Sequence, residues 1–175
     1  RFGSSVSLSN DGTRLAVGAP RDDNGGTDSG TISIYELSGS TWNKLGQTIA
    51  GLSNGRAGEA LELSGDGNTV IFGSVKKYSN KGFAGIYTWD GTSWNQVGSN
   101  ILGIGKEYSG SSVSISEDGN RIAIGSPRFN SQGKNRGRVR VYDKVNNSWS
   151  LKFYPWGESA EDRSGSSVSL SDDGN

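Results

Sequence analysis

Four carboxylate or carboxamide side chains crowd into the stretch RDDNGGTDSG: Asp22, Asp23, Asn24 and Asp28. Carboxylates and a carboxamide at this density are ligand types for a hard cation, and calcium is the one they would take. The same residues also build turns, because Asp and Asn side chains accept hydrogen bonds from the backbone just ahead of them. A polar loop without metal is the simpler reading. The corresponding stretches further along are VKKYSNKG, with Lys76, Lys77 and Lys81, and PRFNSQGKNRG, with Arg128, Lys134 and Arg136. A metal site is therefore not repeated. The sequence has no His, no Cys and no Met. That removes the usual zinc sites and the Ser-His and Cys-His nucleophile pairs from this chain. Carboxylates remain, but none stands with a partner that sequence alone places at the roughly 5–10 Å used in glycoside hydrolysis. The expectation is no catalysis and no cofactor, with calcium as the alternative.

Basic residues concentrate between 121 and 144, where seven Lys or Arg stand against one acid, Asp143. Such a patch attracts sulfated or uronic polysaccharide, or an acidic protein. The whole chain carries 18 basic and 18 acidic residues, so nucleic acid is not an expected partner. Arg138 and Arg140 alternate with Val139 and Val141 and read as the solvent side of a strand. Lys76, Lys77, Arg128, Lys134 and Arg136 are the remaining basic candidates for ligand contact. Of five tryptophans, Trp42, Trp94 and Trp149 recur at one repeat position and read as packing residues. Trp89 and Trp156 fall outside that register and are candidates for exposed stacking on ligand. The triplet NNS makes Asn146 an N-glycosylation acceptor on a turn, in keeping with an extracellular or cell-surface location. No apolar run reaches the ~18 residues of a membrane helix, so membrane insertion is not expected.

These residues hang on a repeat. The phrase FGSSVSLSNDG at 2–12 returns as SGSSVSISEDG at 109–119 and SGSSVSLSDDG at 164–174, and the Asp-Gly pairs of the NDG, GDG, EDG and DDG turns begin at 11, 66, 118 and 173. The period of about 52–55 residues divides the chain into units 2–56, 57–108 and 109–163 and a partial unit 164–175. Each unit spells four strand-like phrases. In the first, SVSLS alternates apolar and small residues, RLAVGAP ends on a Pro that cannot join a ladder, TISIYEL alternates again, and the fourth begins at Trp42. The Asp-Gly pairs are short hairpin signals. Gly is 28 of 175 residues, which suits many tight turns. Four antiparallel strands per ~50 residues is the signature of an all-β fold built from β-propeller blades, here about three complete blades plus the first strand of another. One blade cannot bury its own faces, so further blades are expected from the same longer chain or from other subunits.

The phrases FGSSVSLS and LAVGAP, with Phe2-Gly3 and Gly18-Ala19-Pro20, resemble the FG-GAP repeat of integrin-α-type propellers, and IFGS and AIGSP are weaker forms. The resemblance implies a propeller, usually of seven blades, in extracellular adhesion proteins and secreted enzymes whose loops bind other proteins. The family often has a DxDxDG calcium loop between the first two strands. Here SNDGT, SGDGN and SEDGN offer too few oxygens for it, so that role is not carried onto Asp11, Asp66 or Asp118. TWDGTSW at 88–94 resembles the Asp-box turn of sialidase-type propellers, which is structural. The reading is a non-catalytic recognition or structural module that binds protein or glycan through its loops. The alternatives are a propeller domain of a secreted carbohydrate-active enzyme and a filament or matrix repeat.

Overall fold

The computed structural model describes residues 1–130 and 134–174. Part of the basic loop of the third unit, 131–133, and the last residue of the partial unit, Asn175, lie outside the described residues. Three antiparallel sheets follow one another. The first holds β1 (Ser5–Leu8), β2 (Arg14–Ala19), β3 (Thr31–Ser38), β4 (Thr41–Lys44) and β5 (Ile49–Ala50). The second holds β6 (Ala57–Leu63), β7 (Thr69–Ser74), β8 (Phe83–Trp89), β9 (Trp94–Gln96) and β10 (Ile101–Leu102). The third holds β11 (Ser112–Ile115), β12 (Arg121–Ser126), β13 (Arg138–Val145) and β14 (Ser148–Phe153). Strands pair in chain order, the meander that short turns enforce. The fourth strand is broken in the first two sheets, where β4 and β5 both pair with β3 and β9 and β10 both pair with β8. In the third it is bulged instead, opposite Val141 and Tyr142.

Apolar residues on both faces of the middle strands explain why the sheets stack. Ala16, Ile32 and Ile34 of the first sheet meet Leu61, Leu63, Val70, Phe72, Phe83 and Trp94 of the second. Ile71, Ala84 and Ile86 on the other face of the second meet Val113, Ile115, Ile122, Ile124 and Tyr142 of the third. The two seams are one interface written twice. One of its close approaches is glycine on glycine. A Cβ on Gly18 would lie 3.1 Å from the carbonyl carbon of Gly58, and one on Gly73 would lie 2.8 Å from that of Gly110. Gly125 meets Gly165 in the same way, at 2.9 Å. The Gly of each GAP-like phrase thus touches the Gly that opens the next unit, so the motif residues are packing residues.

Polar links repeat as well. Ser7 Oγ accepts the amide of Leu63, Glu62 Oε2 that of Ile115, and Ser114 Oγ that of Leu170. The hairpin turns are chained, with Asn10 N–H donating to Gly65 O, Gly65 N–H to Glu117 O and Glu117 N–H to Asp172 O, each at 2.9 Å. The indole of Trp94 donates to Leu45 O and that of Trp149 to Val97 O, so this tryptophan clamps each blade to the one before. The first sheet has no blade before it among the described residues. There Val6 and Leu8 are 61% and 55% exposed, where Leu61, Leu63, Val113 and Ile115 are buried. Residues 164–174 lie in the first-strand position beside the third sheet without forming a ladder.

Candidate binding face

At one end of the sheets the Asp-Gly hairpins consume their carboxylates. Ser9 donates its hydroxyl to Asp11 at 2.6 Å, and Thr13 N–H donates to the same oxygen at 2.9 Å. Ser64–Asp66–Asn68 and Ser116–Asp118–Asn120 repeat the arrangement. The Ser9 hydroxyl, followed by the Thr13 amide, holds the Asp11 carboxyl down at about 2. Asp118 is lowered chiefly by Ser116. Burial pushes Asp66 up, but the Ser64 hydroxyl and the Asn68 amide outweigh it. In the TWDGTSW turn, Asp90 accepts the amides of Ser93 and Thr92 and is held well below the ordinary carboxylate range. These groups brace turns, because donors already occupy the lone pairs a reacting proton would need.

The opposite end carries the loops from second to third strand, residues 20–30, 75–82 and 127–137, and the connections into the following blade. Their sequences differ but their anchoring does not. Arg56 N–H donates to Asp28 O, Tyr108 N–H to Asn80 O and Arg163 N–H to Asn135 O, each at 3.0 Å. All six residues have left-handed φ, between 46° and 69°. Asp22 caps Asn24 N–H at 2.9 Å, Asp23 caps Asp28 N–H at 2.7 Å, and Asp28 faces Arg56 at 3.7 Å. Among the described residues no three acidic side chains converge as a metal cage.

The loops of the second and third units bring two candidate cations to one ring. Lys76 Nζ lies 4.7 Å from the centroid of Tyr108, and the Arg128 guanidinium carbon lies 4.4 Å from it. The other basic candidates are engaged elsewhere. Lys77 donates to Ser53 O, Arg136 to Gly157 O and Glu158 O, and Lys134 faces Glu161 at 3.6 Å. Trp156 is 47% exposed beside Tyr154 on the outer rim. Trp89 is not an exposed ledge. It packs beside Trp94, ring centroids 5.6 Å apart, against the core between the first two sheets, because Gly46 opposite it leaves room. Asn146 sits exposed, at φ 56°, on the turn between β13 and β14.

Arg138 and Arg140 are the clearest departure from the sequence reading. They are 7% and 5% exposed, while Val139 and Val141 hold the more open side of β13. Glu107, 1% exposed, explains the inversion. Its carboxylate lies 2.8 Å from Arg138 Nη2 and 3.4 Å from Arg140 Nη2. Arg140 further donates to Leu102 O and Ser109 Oγ, and Arg138 stacks on Phe129 at 4.0 Å. Burial lowers the Arg140 pKa. Strand alternation gives the two faces of β13 but not which one is wet. The available signal was two arginines alternating in an apolar strand, with an acid at 107 where the first unit has Gly55.

Three blades of this construction define a β-propeller-type repeat protein. Residues 1–35 match the FG-GAP repeat family. No curated protein matches the sequence. Among solved structures, the chain is similar to a provisionally assigned 6-phosphogluconolactonase from Bacteroides uniformis, with TM-score 0.57 and 11% identity over 85% of this chain and 39% of that one. A second from Bacteroides fragilis gives TM-score 0.55 and 18% identity over 86% and 38%. A provisionally assigned TolB from Agrobacterium tumefaciens gives 0.51 and 14% over 86% and 45%. The chain thus spans less than half the length of each of these structures, and at such identities the likeness is one of fold.

Proposed function

We propose that this chain is part of a non-catalytic recognition module, extracellular or at the cell surface, that binds protein or glycan through the loops between second and third strands. The observation that carries this is the anchoring at that end. Three loops of different sequence, the first acidic and the other two basic, are held by the same backbone hydrogen bond on the same left-handed pair, so their side chains vary on a constant frame. The exposed acceptor Asn146 fits a secreted route. A hydrolytic role, of the kind the names of two structural neighbours raise, has less support, since Asp11, Asp66, Asp90 and Asp118 are tied into turns. The test is a binding screen against neutral and acidic polysaccharides and extracellular proteins, beside a hydrolase screen. Binding lost when the 75–82 and 127–137 loops are exchanged for short turns supports the reading. Turnover abolished by a single carboxylate substitution overturns it.

A further inference from the structure

Lys76 and Arg128 come from different blades, yet both lie over Tyr108, and neither faces a carboxylate at ion-pair distance among the described residues. Two cations on one ring repel each other, and backbone anchors hold them there. Lys76 N–H donates to Gly55 O and Arg128 N–H to Glu107 O, each at 3.2 Å. Beneath them the buried cluster has two arginines against one glutamate, and the Nε of both arginines lacks a hydrogen-bond partner in the described structure. One positive charge is left over in a medium that screens poorly. The surface pocket beside Tyr108 is lined by Arg56, Glu59, Val75, Lys76, Tyr108 and Ser111. Arg56 is spoken for by Asp28 at 3.7 Å and Glu59 at 3.9 Å. The uncompensated charge is therefore that of Lys76, Arg128 and the cluster below.

We infer that this pocket binds a sulfate or carboxylate group carried on a polysaccharide. An anion in this pocket meets Lys76 as a charge-assisted donor and lies in the field of Arg128, which shares the Tyr108 ring. Glu59 and the hydroxyls of Tyr108 and Ser111 supply acceptors and donors for sugar hydroxyls. Glu107 is a positioning residue. It neighbours Tyr108, its carbonyl holds Arg128, and its carboxylate pins the arginines below. The inference rests on the recognition reading above and narrows it to one site and one ligand class.

The test compares dextran sulfate with neutral dextran by titration calorimetry, using the wild-type chain, the double variant K76A/R128A, and K44A/K144A as a control of equal charge loss away from Tyr108. The expected result is binding of dextran sulfate alone, weaker at high salt, reduced roughly tenfold or more in K76A/R128A and within about twofold of wild type in the control. Thermal melting of both variants near wild type shows that the fold is kept. Equal affinity of K76A/R128A and wild type, or an equal loss in K44A/K144A, overturns the site. Binding of neutral dextran as tight as that of the sulfated polymer overturns it while the recognition reading stands. Tighter binding of poly-glutamate than of dextran sulfate moves the occupant to an acidic protein and likewise overturns it.

Discussion

Replacing Gly73 by Ala separates the blade arrangement from any looser stacking of sheets. Gly73 lies in β7 with ordinary strand φ, so the methyl group costs nothing in backbone conformation. On the chain alone the change would stabilise by about 0.4–1 kcal/mol, through lost freedom of the unfolded state. The neighbouring blade reverses the sign. The new Cβ would sit 2.8 Å from the Gly110 carbonyl carbon and 3.1 Å from its Cα, inside the 3.4–4 Å of ordinary contact. The Gly110 carbonyl oxygen is nearer still; all these partners are backbone, so no side chain can swing aside, and the seam must open by roughly an ångström or more there. Overpacking of this kind costs about 1–3 kcal/mol. The net loss is about 1–2 kcal/mol, or roughly 2–8 °C in Tm for a chain of this size. Circular dichroism melts of G73A, G18A and G125A beside wild type measure it. G39N is the control, because Gly39 has φ 61° and open space around it, and its Tm stays within about 1–2 °C of wild type. A G73A melt at or above wild type would refute the glycine-on-glycine seam.

Glu107→Gln strands two buried arginines and costs about 3–5 kcal/mol by urea unfolding. Adding Arg138→Phe and Arg140→Gly, the residues that Phe83 and Gly85 supply in the second unit, recovers most of that loss. Failure to recover would show that the cluster is needed for more than charge balance. The Asp11 carboxyl, lowered to about 2 from an ordinary value of 3.8, contributes stability that is complete above about pH 4 and lost as the pH falls towards 2. Asp11→Asn flattens that part of a Tm-against-pH curve, and an unchanged acid limb counts against the turn assignment. Trp94→Ala costs about 3–5 kcal/mol, whereas Trp42→Ala, at the same repeat position but on the open face, costs well under half as much. Chelation with EDTA leaves Tm unchanged because loop amides already occupy Asp22 and Asp23. A fall in Tm restored by calcium would reinstate a metal in that loop.

The repeating parts of this fold were legible because repetition amplifies weak signals. Any one of SVSLS, ALEL or SVSI is too short to assign, but four phrases in the same order at 52–55-residue spacing define blades. The glycines of FG and GAP could be seen as motif, though not as partners, since their contact crosses from one unit to the next. The site was less legible because it depends on what differs between units. Lys76 and Arg128 were visible as loop cations, but Tyr108 was not, since no pattern in 103–108 marks it as the ring they share. Arg138 and Arg140 were read on the wrong side because a buried charge depends on its partner, and Glu107 is 31 residues from Arg138. Trp89 was misread because its shelter comes from Gly46, in the neighbouring blade.

The chained hairpin turns have a mechanical consequence. Every link runs one way, amide on the earlier blade and carbonyl on the later, so tension between the two ends of the array passes through the seams in series. Resistance is then set by the weaker seam rather than by their sum. The first seam has a hydroxyl from Ser5 on Gly58 O and a two-point grip of Gln47 on the Trp94 backbone. The second has Ala60 and Ser99 at those positions and is tied instead by Arg140 to the Leu102 carbonyl. A chain pulled at constant speed yields in steps of about one repeat, roughly 180–190 Å of extended backbone, and the order of the steps ranks the two fastenings.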